Sequence, residues 1–185
     1  MRIFVAVFPP PEVQRAAMAI EDSLKRAGDV VSWVKRENLH YTLSFLGELG
    51  DDGARRVGEA AREEASDHRA FEAALGAPGA VPEPRRARAL WLSMAQGAES
   101  LIALARSLEA ALVRRGFDRA DKPFSAHLTI GRVRAVNQDW SARLAAAAPA
   151  RPEARFMVDR LSVIESQLST KGSIYTIREE ARLAS

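Results

Sequence analysis

A chain of 185 residues with 47% hydrophobic and 28% charged side chains and a formal net charge of +3 has the length and balance of a globular protein able to bury its own core, and no apolar run is long enough to span a membrane. It has no cysteine, which excludes disulfides, thiolate nucleophiles and zinc sites built on cysteine. Lysine occurs only at Lys25, Lys35, Lys122 and Lys171, so the positive charge is carried chiefly by arginine, whose planar fork suits phosphate.

RIFVAVF (2 to 8) reads as a strand stopped by Pro9, Pro10 and Pro11. It lacks the basic region and cleavage site of a secretory leader, so the protein is expected in the cytoplasm. Val13, Ala17, Ile20 and Leu24 recur at helical spacing and predict an amphipathic helix closed by Gly28. VVSWV (30 to 34) predicts a short strand. LHYTLSFLGE (39 to 48) predicts a longer one, with Leu39, Tyr41, Leu43 and Phe45 on an apolar face and His40, Thr42 and Ser44 on the other.

After GELGDDG, Asp51 or Asp52 can cap a polar helix running to about Asp67. FEAALGAPGAV (71 to 81) and RALWLSM (88 to 94) predict an outgoing and a returning strand. Leu101, Leu104, Leu108 and Leu112, with Ala105 and Ala111, form one stripe of a helix ending at Gly116. SAHLTIGRV (125 to 133) repeats the histidine pattern, with His127 and Thr129 opposite Ala126, Leu128 and Ile130. An Ala-rich helix (137 to 148), the connection APARPEA, and strands RFMVDRLSVIES (155 to 166) and GSIYTIREE (172 to 180) complete the chain. Trp33, Phe45 and Trp91 are expected in the core, and Trp140 as the anchor of a short helix.

Hairpins outnumber helical crossovers in this order, so the expected class is α+β with mainly antiparallel sheet. One His-Thr strand per half suggests two similar lobes related by an approximate two-fold axis.

Histidine and threonine two apart on a strand project from the same face. The hydroxyl can donate to an anionic oxygen while the imidazole exchanges a proton. If the two strands faced each other, Thr42, Thr129, His40 and His127 would surround one tetrahedral phosphate. An unperturbed pKa of about 6.5 lets one ring be neutral and the other protonated near neutral pH. One would then take a proton from the attacking group and the other would give one to the leaving oxygen. An activated substrate such as a strained cyclic phosphate needs no metal for this, and the three histidines (His40, His68, His127) lack H-x-x-x-H or H-x-D spacing. No cofactor and no metal are expected. A single His-x-Thr is common on strands; two copies on apolar-backed strands are not.

HYTL at 40 to 43 and HLTI at 127 to 130 resemble the paired H-x-T-hydrophobic signature of the 2H phosphoesterase superfamily. RIFVAVFPP, WVKRENLHYTLSFLGE, FSAHLTIGR and ESQLSTKGSIYTI are similar to its bacterial RNA 2′,3′-cyclic phosphodiesterase branch, the LigT-like proteins formerly called 2′-5′ RNA ligases. The likeness covers essentially the whole chain. Ala126 stands where family members commonly have proline.

The resemblance implies one bilobal domain over residues 1 to 185: two mainly antiparallel sheets, helices outside and a central cleft. It implies hydrolysis of RNA 2′,3′-cyclic phosphate ends to 2′-phosphomonoesters, with RNA 3′ ends as the partner. His40 would be the proton donor to the departing 3′-oxygen and His127 the proton acceptor that activates water. Thr42 and Thr129 would hold the non-bridging oxygens. The assignment of acid and base comes from the resemblance alone.

Arg132 matches a phosphate-binding basic residue after the second motif, and reaches the cleft face if the strand bulges at Gly131. Tyr175 is a candidate platform for a base. His68 suits a helix C-terminus and carries no expected catalytic role; PRRAR (84 to 88) could guide an RNA backbone or simply be solvated. Nothing demands more than a monomer. Competing readings are another 2H activity (on ADP-ribose cyclic phosphate or 2′,5′-linked oligonucleotides, or reversible 2′-5′ ligation) and an RNA-end-binding module without turnover.

Overall fold

The computed structural model describes residues 1–135, 138–148 and 154–185. Among these residues nine strands fall in two antiparallel sheets. The first has the order β3 (Tyr41–Glu48), β1 (Arg2–Val7), β8 (Arg160–Ser169), β9 (Gly172–Arg182). The second has the order β2 (Val31–Trp33), β6 (Leu128–Val133), β5 (Ala89–Gln96), β4 (Phe71–Val81), β7 (Arg155–Val158). The α+β class with antiparallel sheets, expected from the excess of hairpins, is the one observed.

The helices are α1 (Pro11–Leu24), α2 (Asp51–Asp67), α3 (Ala98–Arg114) and α4 (Ser141–Ala145). Their buried faces are the stripes seen in the sequence: Val13, Ala17, Ile20 and Leu24 on α1, and Leu101, Leu104, Leu108 and Leu112 on α3. Pro11 opens α1 at a position where a missing N–H costs nothing. These stripes and one face of each sheet form a continuous apolar core. The opposite faces of the sheets are left to form a cleft.

Several boundaries differ from expectation. α1 ends at Leu24 rather than running to Gly28, whose φ of +85° belongs to the turn beyond. The predicted helix over 137 to 148 shrinks to Ser141–Ala145, because Trp140 is used as a fully buried wedge against Trp33, at 6.1 Å between ring centroids. Asn137, and Pro149 to Glu153 of the predicted connection, lie outside the described residues. β3 and β6 begin at Tyr41 and Leu128, so each cleft histidine sits one residue ahead of its ladder.

Strand register positions the site. Along β3 and β1 the pairs run Val7–Tyr41, Ala6–Thr42, Val5–Ser44, Phe4–Phe45, Ile3–Gly47 and Arg2–Glu48, leaving Leu43 and Leu46 as extra residues. An extra residue reverses which face the next side chain meets. Phe45 therefore shares the cleft face with Thr42 and is 56% exposed, which corrects its expected place in the core; Ser44 is turned away. On β6 the pairs with β5 pass from Trp91–Thr129 to Leu90–Gly131, making Ile130 the extra residue. The bulge expected at Gly131 is thus one residue earlier, and it brings Arg132 onto the face of Thr129. Each sheet's motif carries histidine, threonine two residues on, a one-residue bulge, and a third cleft residue five after the histidine.

Candidate active site

Both motifs line one cleft of about 640 Å³. From the first sheet come His40, Thr42, Phe45, Arg2, Phe4 and Tyr175; from the second come His127, Thr129, Arg132 and Trp91. Asn38, Ser125, Ser166 and Ser173 add polar groups, and Val34, Val81, Ala89 and Leu168 complete the apolar part. The cleft thus gathers two imidazoles and two guanidiniums, and among the described residues no carboxylate lines it. The six residues expected from the sequence, His40, Thr42, His127, Thr129, Arg132 and Tyr175, lie together. His68 does not: it ends α2, with Nδ1 2.8 Å from the Glu64 carbonyl.

His40 is held on several sides. Its Nδ1 lies 2.6 Å from the Asn38 carbonyl, and its Nε2 lies 2.9 Å from the Thr42 hydroxyl. A carbonyl can only accept, so Nδ1 carries hydrogen and Nε2 is the nitrogen that exchanges a proton. Asn38 is itself tied across the fold, its Nδ2 donating to the Ser173 carbonyl at 3.1 Å. Phe4 and Phe8 flank the imidazole at 5.0 and 5.2 Å, and Tyr175 meets it edge-on at 5.4 Å. Burial among these rings lowers its pKa below the ordinary 6.5, and the Asn38 hydrogen bond offsets part of that.

His127 is held differently. Its ring stacks on Trp91, with centroids 3.8 Å apart and planes 6° from parallel, and its Nδ1 is 3.0 Å from the Ser125 hydroxyl. Its Nε2 has no hydrogen bond among the described residues, and burial lowers its pKa below 6.5. Trp91 is therefore a wall of the cleft and not the core residue expected. The parity of Leu90 and Leu92, both fully buried, puts the residue between them on the opposite face, a signal present in the sequence.

Tyr175 has its hydroxyl pushed up by burial, against the opposing influence of Ser173 and the charges of Arg132 and Arg2. Both guanidiniums thus bear on the same part of the cleft. Neither forms an ion pair among the described residues, whereas arginines 55, 56, 62, 114, 115 and 143 all do. Free cations beside hydroxyl donors make a receptor for a phosphate-sized anion.

Comparison with known proteins identifies the family. Residues 9–170 match the model of the 2′-5′ RNA ligase superfamily. The chain belongs to that superfamily. A Methanothermobacter thermautotrophicus relative, named RNA 2′,3′-cyclic phosphodiesterase, is 34% identical over 184 residues, covering 99% of both chains. Among solved structures, TT0787 of Thermus thermophilus superimposes with a TM-score of 0.79 at 28% identity, over 99% of this chain and 98% of that one. The Escherichia coli LigT complex with 3′-AMP gives 0.81 at 23% identity, over 100% and 98%, and shows the same fold. In this member of the 2′-5′ RNA ligase superfamily, no helix among the described residues is long and apolar enough to cross a membrane.

Proposed function

We propose that this protein hydrolyses 2′,3′-cyclic phosphate ends of RNA to 2′-phosphomonoester ends, by metal-independent acid–base catalysis between two histidines. The observation that carries the reading is the convergence of both His-Thr pairs on one cationic cleft whose described lining has no carboxylate to hold a divalent ion. Relatives named RNA 2′,3′-cyclic phosphodiesterase support the substrate class.

With the cyclic phosphate between the two motifs, Thr42, Thr129 and Arg132 hold its non-bridging oxygens. Nε2 of His127 takes a proton from water as the water oxygen bonds to phosphorus. The bond from phosphorus to the 3′-oxygen breaks, and Nε2–H of His40 protonates that oxygen. The product is a 2′-phosphomonoester beside a 3′-hydroxyl, with the imidazolium now on His127. The Asn38 carbonyl supports His40 as the acid, since an acceptor at Nδ1 stabilises its imidazolium. The Trp91 face supports His127 as the base, because the ring quadrupole favours the cation formed there during the reaction.

Incubation of a short RNA ending in a 2′,3′-cyclic phosphate is expected to yield the 2′-phosphate, with the rate kept in excess chelator. A 3′-phosphate product, or no turnover, would defeat the reading. Loss of activity to chelator, restored by a divalent ion, would defeat the metal-free mechanism.

The pH dependence follows from burial of both rings. Activity needs His40 charged and His127 neutral, so kcat/KM falls on the alkaline side as His40 loses its proton and on the acid side as His127 gains one. Both pKa values lie below 6.5, so the bell is expected to centre on the acid side of that value. A bound phosphate anion favours both imidazoliums, so the kcat profile is expected at higher pH than that of kcat/KM. Initial rates across the range test this; a kcat/KM maximum above about pH 7 contradicts it.

A further inference from the structure

A phosphate, comparable to a few water volumes of about 30 Å³ each, fills a small part of a cleft of 640 Å³. The remainder is not featureless. Arg2 places its guanidinium over the Phe45 ring, 5.2 Å from the centroid, and both line the cleft. Arg2 and Phe4 share the cleft face of β1 two residues apart, a step of about 7 Å, and the Phe4 ring packs on His40. On this face Arg2 stands in one cross-strand row with Ser166 and Tyr175. Glu48, its other cross-strand neighbour, is paired with the Met1 amino group at 3.2 Å, and nearby Glu165 with Arg178 at 3.2 Å. The cleft therefore offers a second cation seated on an exposed aromatic ring, Phe45, whose pairing with Phe4 lies one strand step from the pairing of Ala6 with Thr42. Leu168, 75% exposed, lines the same cleft.

We propose that Arg2, held on Phe45, receives the 5′-phosphate of the terminal nucleotide, so that the protein selects the end of an RNA chain over a free nucleoside 2′,3′-cyclic phosphate. The inference rests on the cyclic-phosphate reading above. With the cyclic phosphate held by the two His-Thr pairs, the next anionic group in any RNA is the 5′-phosphodiester of that nucleotide. Its separation from the cyclic phosphate is of the order of the step of about 7 Å from the Phe4–Phe45 pair, over which the guanidinium lies, to the Ala6–Thr42 pair. Stacking fixes the guanidinium at a low entropic cost, and arginine on an aromatic face keeps its fork free for phosphate oxygens.

A minimal pair of substrates tests this: a nucleoside 2′,3′-cyclic phosphate with and without a 5′-phosphate. The 5′-phosphate is expected to lower KM about tenfold, the worth of a charge-assisted hydrogen bond, and the advantage should shrink as salt rises. Arg2→Gln is expected to bring the ratio of the two kcat/KM values close to one, and Arg2→Lys to keep part of it. Because the readout is a ratio, loss of folded protein scales both rates and leaves it unmoved. Equal KM values in the unaltered protein, or a preference that survives Arg2→Gln, overturn the inference while leaving the reading of the catalytic centre standing. Hydrolysis of a cyclic-phosphate-ended RNA but of neither mononucleotide overturns the inference alone, and failure on the RNA as well overturns both.

Discussion

Replacing His40 or His127 with alanine is expected to lower kcat by about 10² to 10⁴-fold, the usual worth of a general acid or base, with a much smaller change in KM. Thr42, Thr129 and Arg132 stay on the cleft faces in either variant, so the anion still binds. The two variants should differ in what restores them. In the proposed mechanism the hydrogen from His40 goes to the leaving oxygen, so a cyclic substrate with sulfur at the 3′ bridging position, whose thiolate needs no proton, should recover much of the rate lost in His40→Ala. It should do little for His127→Ala, where activation of water is missing. Recovery in the reverse sense would exchange the two roles, and full activity in both variants would remove acid–base catalysis from this cleft.

That experiment matters because the acid and base are not distinguishable in the primary structure. HYTL and HLTI are equivalent as local patterns; their difference is tertiary. His40 acquires the Asn38 carbonyl and a cage of Phe4, Phe8 and Tyr175, drawn from separate segments of the chain. His127 acquires one indole from the neighbouring strand. The motifs, the helical stripes and the antiparallel character were legible because each depends on spacing within a few residues. Register is not local in this sense. The extra residues Leu43 and Ile130 are defined by what lies opposite on β1 and β5, so strict alternation misassigned Phe45 and placed the bulge before Arg132 one residue late. The sequence does not mark Arg2 as a cleft residue for another reason: RIFVAVF is apolar on both faces, and only its arginine indicates which parity meets solvent. Trp91 was legible and misread, since its flanking leucines already fix its face.

The environment of His127 leads to the second large effect, expected from a residue that never touches substrate. Gly79 lies directly opposite Trp91 in the β4–β5 pairing, with Thr129 on the other side of the indole. A Cβ at Gly79 would fall well inside van der Waals contact of the indole atoms Cη2, Cζ2 and Cζ3. The bare backbone there lets the six-membered part of the indole lie flat, and the flat indole is the surface on which His127 rests. Gly79→Ala is expected to lift the indole and displace the imidazole. A misplacement near 1 Å costs about 10²-fold in rate, whereas the overpacking costs the fold about 1–3 kcal/mol, measurable as a lowered thermal midpoint. Relief of burial also raises the pKa of His127 toward 6.5, so the acid limb of the kcat/KM profile should move to higher pH, a change that mere loss of folded protein would not cause. Trp91→Phe gives up no hydrogen bond among the described residues, where Nε1 has no partner, and it keeps an aromatic face. Combined with Gly79→Ala, it removes the outer ring atoms that the methyl would strike and should restore both rate and pH profile in part. An undisturbed acid limb in Gly79→Ala, or a double variant no better than the single one, would show that His127 is positioned by Ser125 and its own strand, and not by the indole beneath it.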